Sequence, residues 1–224
     1  MKSNKLAMLF AIASLFMAFT AAKAQVSIGG TAGFNMQNIT GKDAKGDNVS
    51  NKLAPRYTVG LNFRIPLATE FAIQPGISFA TKGAQSSDKN TKTTLNYVEI
   101  PINLIFRPLL GDAHILLGFG PYVGFGVGGR SKTTISGVTV DRKVVYKNSM
   151  TTKEVLTGSE VYVKPIDAGI NLLAGYEFTN GFSIQFNAQL GLTKINTTIS
   201  DLSSDKTSLK NTGFGVSLGY RMLR

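Results

Sequence analysis

One segment of the chain, from Phe182 to Thr193, alternates strictly between apolar and polar residues. Phenylalanine, isoleucine, alanine and leucine fall on one face, and serine, glutamine, asparagine, glycine and threonine fall on the other. A period of two residues is typical of a β-strand whose faces meet different surroundings. Because a tilted strand needs about 9 to 11 residues to cross a bilayer, this segment is long enough to span a membrane.

The same alternation recurs along the chain and predicts eight strands. They cover residues 26–35, 56–66, 71–82, 95–107, 113–129, 165–178, 182–193 and 212–222. The predicted connections alternate between long segments (37–54, 83–94, 130–164 and 196–211) and short ones (67–70, 108–112 and 179–181). Outer-membrane barrels have an even number of strands, short periplasmic turns and long outer loops. The sequence therefore predicts an all-β fold, namely an eight-stranded antiparallel up-and-down transmembrane β-barrel with short periplasmic turns and four longer outer loops.

The N-terminal residues have the features of a secretion signal. Lys2 and Lys5 precede an apolar segment, residues 6–19, and Ala22-Lys23-Ala24 resembles a cleavage site. A membrane-anchoring helix is the alternative, but this apolar segment is shorter than the ~20 residues that a spanning helix needs. We expect residues 1–24 to be removed as a signal peptide and residues 25–224 to form one barrel domain in the outer membrane of a Gram-negative cell.

The charge of the chain is basic, with a formal net charge of +11 that falls by three to +8 if Lys2, Lys5 and Lys23 leave with the signal. A basic excess raises the question of a nucleic-acid partner, but export argues against one, and most of the basic residues fall in predicted loops. The chain has no cysteine, which fits an exported protein that forms no disulfides.

A soluble lipocalin-like barrel, with its apolar faces turned inward, is the alternative fold. The apolar faces carry almost no charge, the polar faces are rich in glycine, asparagine, glutamine and arginine, and the long loops fall on one rim, all of which favour the membrane barrel. Aromatic residues near the strand ends are typical of the girdles at membrane interfaces. They are Tyr57, Phe71, Tyr97, Phe106, Tyr176, Phe178, Phe182 and Tyr220.

Charged residues on the polar faces predict a charge network inside the barrel. Its members are Arg56, Arg64, Lys82, Glu99, Arg107, Asp167, Glu177 and Arg221. A column of inward glycines (Gly118, Gly120, Gly124, Gly126 and Gly128) should leave room for large side chains such as Tyr122 or arginines. Because an eight-stranded barrel is only about wide enough for its own side chains, we predict a plugged lumen. A narrow channel, opened when Glu99 or Glu177 exchanges arginine partners, is the alternative.

The longest predicted loop, residues 130–164, has a net charge of +4. Its basic residues are Arg130, Lys132, Arg142, Lys143, Lys147, Lys153 and Lys164. They could bind lipopolysaccharide phosphates or an anionic partner at the outer leaflet, or they could only keep the loop soluble. Alternating stretches within the loop predict a hairpin that extends strands five and six.

The sequence gives little support for a catalytic site or a cofactor site. His114 is the only histidine, so almost no residues are available to build a Ser-His-Asp triad or a histidine metal site. Residues 124–129 match the G-x-G-x-x-G pattern, but no helix is predicted after them, as dinucleotide binding requires. We expect no enzyme activity, no metal and no cofactor.

Several motifs resemble those of the "porin family" outer-membrane β-barrel proteins of Bacteroidetes. They are Tyr97-Val98-Glu99-Ile100-Pro101-Ile102, Gly118-Phe119-Gly120-Pro121-Tyr122, Asp167-Ala168-Gly169, Gly175-Tyr176-Glu177-Phe178 and the segment 215–221. The resemblance implies an OmpA/OmpX-like eight-stranded barrel, and the family has no agreed substrate. Such barrels commonly end on an aromatic residue that the insertion machinery recognises, whereas this sequence ends Tyr220-Arg221-Met222-Leu223-Arg224. The recognition signal must therefore be weaker or lie further inward.

The sequence as a whole predicts a monomeric outer-membrane barrel with a plugged polar lumen and a structural or surface-interaction role in the cell envelope. A narrow porin that passes small solutes or ions is the alternative function. The expected partners are outer-membrane lipid, including lipopolysaccharide phosphates, and the barrel-insertion machinery.

Overall fold

The computed structural model describes residues 26–150, 160–199 and 206–222. The predicted signal peptide, residues 1–24, and Lys153 of the predicted basic loop lie outside these residues. Within the described ranges, no helix is long and apolar enough to cross a membrane.

Eight long strands, named β1 to β8 in chain order, pair into a closed ring. They are β1 (Ser27–Lys42), β2 (Ala54–Pro66), β3 (Phe71–Ser86), β4 (Thr91–Phe106), β5 (Ala113–Ile135), β6 (Ile166–Glu177), β7 (Phe182–Gly191) and β8 (Ser208–Arg221). Each strand pairs antiparallel with the next, and β8 pairs antiparallel with β1. Shorter strands outside the ring are Asn51–Lys52, Leu109–Leu110, Val138–Tyr146, Ser149–Met150, Glu160–Val163 and Thr198–Ile199.

The two faces of the ring differ in chemistry, as the alternation predicts. Large apolar side chains are exposed around its outer surface, which we call the apolar belt: Phe34, Val59, Leu61, Ile77, Ile100, Ile102, Leu117, Phe119, Val123, Phe125, Leu172, Phe186, Leu190, Phe214, Val216 and Leu218. Polar side chains such as Asn35, Asn62, Gln185 and Ser217 are buried inside the ring. Soluble monomers rarely expose so large an apolar surface, so the belt is typical of a surface that faces lipid.

The connections at the two ends of the ring are unequal. Residues 67–70, 107–112 and 178–181 form the short-turn end. Residues 43–53 and 87–90, with the described parts of the connections 136–165 and 192–207, form the opposite end, which we call the long-loop end. The prediction of four longer loops is wrong for the second of these. β3 and β4 continue past the apolar belt to a turn of residues 87–90, and they stay paired out to Gln85, which lies opposite Lys92. The extension of β4 also pairs with β5, since Thr93 lies 3.0 Å from Ser131 and Thr91 lies 3.1 Å from Thr133 between hydroxyl oxygens.

The long segment after β5 begins with a hairpin. A turn at Ser136 and Gly137, both with positive φ, joins β5 to the strand Val138–Tyr146, which we call the hairpin strand and which pairs antiparallel with β5. The predicted hairpin is therefore right for the β5 side. Val161 and its neighbours do not extend β6, because Glu160–Val163 pairs in parallel with the hairpin strand.

The end of the hairpin strand packs inside the ring at the long-loop end. The Tyr146 hydroxyl donates hydrogen bonds to the backbone carbonyl oxygens of Asn96 and Gly128, at 3.1 and 3.0 Å. Its ring occupies the space that a Cβ atom on Gly126 would fill. A small apolar cluster of Leu95, Tyr97, Val144, Val163 and Ile195 adjoins it. Tyr97 is fully buried there, so its prediction as an interface aromatic is wrong.

A register shift interrupts the β4–β5 pairing. Tyr97 lies opposite Gly126 and Asn96 lies opposite Gly128, which leaves Val127 as an extra residue in β5. A β-bulge of this kind changes which residues of the strand face inward. A Cβ atom on Gly129 would contact the buried Val144, whereas one on Gly128 would approach only the Asn96 side chain, at 3.9 Å. The prediction that Gly128 faces inward is wrong, because the bulge turns it outward.

Candidate functional site

Two groups of buried charges lie inside the ring, and the first surrounds Lys82 on β3. The Lys82 ammonium lies 2.5 Å from Glu99 Oε1 on β4 and 2.8 Å from Asp167 Oδ2 on β6. All three side chains are at most 3% exposed. We call these three residues the Lys82 layer, in which one cation joins two carboxylates from separate strands.

Polar and aromatic side chains from further strands complete this layer. Asn211 Nδ2 on β8 donates a hydrogen bond to Asp167 Oδ2 at 3.1 Å, and Gln189 Nε2 on β7 donates one to Glu99 Oε2 at 2.9 Å. The Lys82 ammonium lies 4.1 Å from the centre of the Tyr122 ring on β5, a distance at which cation–π attraction is favourable. Six of the eight strands therefore contribute side chains to one buried network of polar contacts.

Arg56 does not have the partner that the sequence indicates. The sequence predicts that it faces the carboxylates of the network, but its guanidinium donates hydrogen bonds to three backbone carbonyl oxygens: those of Lys82 at 2.9 Å, Thr93 at 2.6 Å and Pro55 at 2.8 Å. Arg56 is buried, so these carbonyl oxygens replace the water that its charge loses. It holds the ends of β2, β3 and β4 together beside the Lys82 layer.

The second group lies at the short-turn end and surrounds Glu177 of β6. Glu177 Oε1 accepts hydrogen bonds from Arg64 Nη1 of β2 at 2.8 Å and from Arg107 Nε at 2.9 Å. Glu177 Oε2 lies 3.6 Å from Arg221 Nε of β8. We call these four residues the Glu177 layer. Three guanidinium groups share one carboxylate, so the layer carries an excess of positive charge.

Side-chain amides compensate part of this excess. Arg221 Nη2 donates hydrogen bonds to Asn62 Oδ1 at 2.5 Å and to Gln74 Oε1 at 3.0 Å. Arg221 Nη1 donates to the backbone carbonyl oxygen of Ser27 at 3.2 Å. Arg107 is the most accessible member, with 27% of its side chain exposed, so water can solvate the rest of its guanidinium.

A polar cavity of about 130 Å³ lies between the two layers. Of its 24 lining residues, 13 have amide or hydroxyl side chains, including Asn35, Thr58, Asn187 and Ser217. Asn35 Nδ2 donates to Thr58 Oγ1 at 2.8 Å, and Asn187 Nδ2 donates to Ser217 Oγ at 2.7 Å. A water molecule needs roughly 10–15 Å³ of such volume and several polar partners, so the cavity has room for a small group of waters.

The sequence places the eight charged residues inside the ring but does not separate them into layers. Glu99 and Arg107, which it treats as members of one network, belong to different layers. It also misses Asn211, which it assigns to a loop although this residue continues the inward alternation of Gly213 and Gly215 in β8. It misses Tyr146 as well, because no periodicity indicates that a loop residue folds back inside.

The described basic residues of the predicted loop do not form one patch. Arg130 and Lys132 lie on β5, and both contact Asp141 of the hairpin strand, at 3.2 and 3.8 Å. Arg142 and Lys143 are adjacent in the hairpin strand and therefore point to opposite faces. Lys147 and Lys164 lie beyond that strand, before β6.

The described residues contain no group of three histidine, cysteine, aspartate or glutamate side chains that could hold a metal ion. His114 lies opposite Glu177 in the β5–β6 pairing. The glycine-rich residues 124–129 lie within β5, where they form part of the ring wall.

Comparison with known proteins gives one family match. Residues 18–197 match the family described as "Outer membrane protein beta-barrel domain". The comparison with curated proteins found no match.

Among solved structures, the chain is similar to Neisserial surface protein A, with 11% identity, a TM-score of 0.45 and coverage of 88% of this chain and 96% of that chain. It is also similar to Ail, the attachment invasion locus protein of Yersinia pestis, with 14% identity, a TM-score of 0.40 and coverage of 90% and 100%. A major outer membrane protein from Thermus thermophilus has 9% identity and a TM-score of 0.44, with coverage of 88% and 100%. These identities and scores are too low to transfer a function.

Proposed function

The chain belongs to the outer membrane protein beta-barrel domain family, and from this premise we propose that it is an eight-stranded transmembrane barrel with a closed lumen. Its proposed role is in the structure or surface contacts of the cell envelope. Residues 1–24 act as the export signal in this proposal. The apolar belt then faces lipid, the short turns face the periplasm and the hairpin strand lies on the outer side.

The observation that carries the proposal is the ion pair between Arg64 and Glu177, 2.8 Å apart. β2 and β6 are four strands apart in a ring of eight, so this pair joins opposite walls. At the other end, Lys82 and Asp167 join β3 to β6, which are three strands apart in the ring. Because an eight-stranded barrel is only about wide enough for side chains, each layer is sufficient to block the passage.

Opening either layer carries a large free-energy cost. Separating a buried ion pair leaves each charge without its partner in a poorly solvated site, at a cost of about 3 to 5 kcal/mol when one partner is removed. A conducting path would require both layers to open together. The two costs add, so the open state would be rarely populated.

A narrow channel remains the second candidate because of the polar cavity between the layers. Glu177 already contacts three arginines, which would let it exchange partners without losing its counter-charge. Glu99 has no arginine within ion-pair distance among the described residues, and its cation is Lys82. In this alternative, the gate would therefore be the Glu177 layer.

The test is the conductance of the refolded chain, residues 25–224, in planar bilayers. The variants are R64S/E177S and K82S/E99S, each of which removes both partners of an ion pair, and the combination of all four substitutions. R130S/D141S removes an exposed ion pair and is the matched control. We expect no discrete openings in the wild type, the control or either double variant, and leakage only in the fourfold variant.

Regular openings of the wild-type protein would contradict the closed barrel and favour transport. If R64S/E177S alone changed those openings, the Glu177 layer would be the gate. Each protein should first show heat-modifiable gel mobility, which establishes that the barrel has folded.

A further inference from the structure

A basic groove of about 380 Å³ lies on the outer surface of the ring at the long-loop end. Its lining residues come from β4 and β5: Lys92, Thr94, Asn96, Gly129, Arg130 and Lys132. Three cationic side chains, a hydroxyl and an amide line the groove, and no carboxylate does. The lining therefore consists mainly of hydrogen-bond donors that suit an anion.

The bulge at Val127 creates this groove. Under strict alternation Arg130 would share the inner face with Gly126, whereas the extra residue turns Arg130 and Lys132 outward. Their side chains are 72% and 59% exposed. A charge that the sequence pattern would place inside the ring is thus displayed on its outer surface.

The pairing across the groove brings like charges together. Lys92 lies directly opposite Lys132, and Thr94 lies opposite Arg130. Directly opposite like charges destabilise a sheet. Asp141 contacts Arg130 and Lys132, but Lys92 has no carboxylate within ion-pair distance among the described residues. An anion in the groove would supply the missing counter-charge.

The groove adjoins the apolar belt, and in the proposed membrane placement it lies at the depth of lipid headgroups. Arg130 is three residues beyond Val127, which is exposed on the outer face beside Phe125 of the belt. At about 3.3 Å per residue this is about 10 Å along the strand, or about 7 Å along the membrane normal for a strand tilted by ~45°. The headgroup region on each side of the hydrocarbon core is of similar thickness.

We propose that this groove binds the phosphate groups of outer-leaflet lipids. The inference rests on the proposed placement of the barrel in the outer membrane. A phosphorylated lipid can place its phosphate against Lys92, Arg130 and Lys132 while its acyl chains lie along Val127 and the adjoining apolar belt. Free phosphate would make only the first of these contacts, and this favours lipid as the occupant.

The test compares two variants with the same change in net charge. K92Q/R130Q/K132Q removes the groove cations, and K45Q/K89Q/K194Q removes three exposed lysines of the connecting segments. Native mass spectrometry of the detergent-solubilised protein measures retention of lipid A with its phosphates and of lipid A without them. We expect the groove variant to retain phosphorylated lipid A at least about tenfold less than the wild type, since each cation near an anionic membrane surface adds to binding. The control should retain it as the wild type does.

The substitution Asp141→Asn should change lipid retention in the opposite direction. Asp141 competes with an anion for Arg130 and Lys132, so its neutralisation should increase retention of phosphorylated lipid A. Equal retention by the groove variant and the wild type, or by lipid A with and without phosphates, would overturn the proposal. Displacement of the lipid by inorganic phosphate would overturn the assignment of lipid as the occupant.

The experiments distinguish failure of the closed-lumen proposal from failure of the groove proposal. Channel openings of the wild type would contradict the closed lumen and leave lipid retention unchanged. Loss of selective retention in a folded, silent barrel would contradict the groove and leave the closed lumen intact. Heat-modifiable mobility of each variant confirms that retention is measured on folded protein.

Discussion

At the scale of single residues, Lys82 is held by two carboxylates in a buried position. Its ammonium lies within 2.8 Å of two carboxylates, and only 1% of the side chain is exposed. Two carboxylates without a cation in this position would repel each other in surroundings that solvate them poorly. Lys82 therefore supplies the counter-charge that Glu99 and Asp167 share inside the ring.

Lys82→Met is expected to destabilise the folded protein by about 3 to 5 kcal/mol, because it leaves two buried carboxylates without their cation. The triple variant K82M/E99Q/D167N removes the charges together and should recover most of this loss. The measurement is the urea dependence of folding in lipid vesicles, followed by gel mobility. Arg130→Gln, which breaks an exposed ion pair, is the control and should cost less than about 1 kcal/mol. A K82M variant as stable as this control would contradict the assigned role.

At the scale of strands, the sequence predicts the facing of side chains well and the strand ends poorly. Phe186 and Leu190 of β7 face outward and Gln185 faces inward, as their alternation indicates. β1, β3 and β4 extend beyond their predicted ends. The residues near their outer turns are mostly polar, so the apolar–polar alternation on which the prediction depends is missing there. The bulge at Val127 leaves no trace in composition, so the alternation places Gly128 on the wrong face.

The bulge predicts different effects for substitutions at two nearby glycines. Gly126→Val should destabilise the barrel by about 1 to 3 kcal/mol, since its side chain would overlap the Tyr146 ring in a packed site. Gly128→Val should have little effect, because its side chain would point outward with only the Asn96 amide nearby. The measurement is the midpoint of thermal unfolding, followed by circular dichroism.

Gly126 and Gly128 would share one face if β5 alternated without interruption, so each serves as the matched control for the other. Equal destabilisation by the two valines would contradict the register shift. Tyr146→Ala in the Gly126→Val background should restore part of the lost stability, because it removes the side chain that the valine displaces.

At the scale of the whole molecule, the interior consists of two charged layers with a polar cavity between them. The sequence predicts which charges lie inside, since inward facing follows from the period of two. It does not predict which charges meet, because Arg64 and Glu177 are 113 residues apart and come together only through the number of strands and their stagger around the ring. Arg56 illustrates this limit, since it faces inward as expected but binds backbone carbonyls.

The separation of the layers predicts additive stability effects. Asp167 and Glu177 are ten residues apart on β6, or about 33 Å along the strand at about 3.3 Å per residue. The losses caused by R64S/E177S and K82S/E99S should therefore add to within about 0.5 kcal/mol in the fourfold variant. Within one layer, R64S and E177S should be coupled by about 0.5 to 3 kcal/mol. A double-mutant cycle measured by urea unfolding checks both values, and strong coupling between the layers would contradict their independence.

Arg221 has a further consequence, because a ring made from one chain has a single seam. That seam lies between β1 and β8, the first and last of the eight strands to be synthesised. Arg221 crosses it to reach the carbonyl of Ser27, and the next residue, Met222, donates its amide to the carbonyl of Ile28 at 2.9 Å. Arg221, which joins β8 to β1, is thus also the third arginine around Glu177. Pairing of the last strand with the first therefore also brings Arg221 to Glu177, so closure of the ring and completion of the Glu177 layer are coupled.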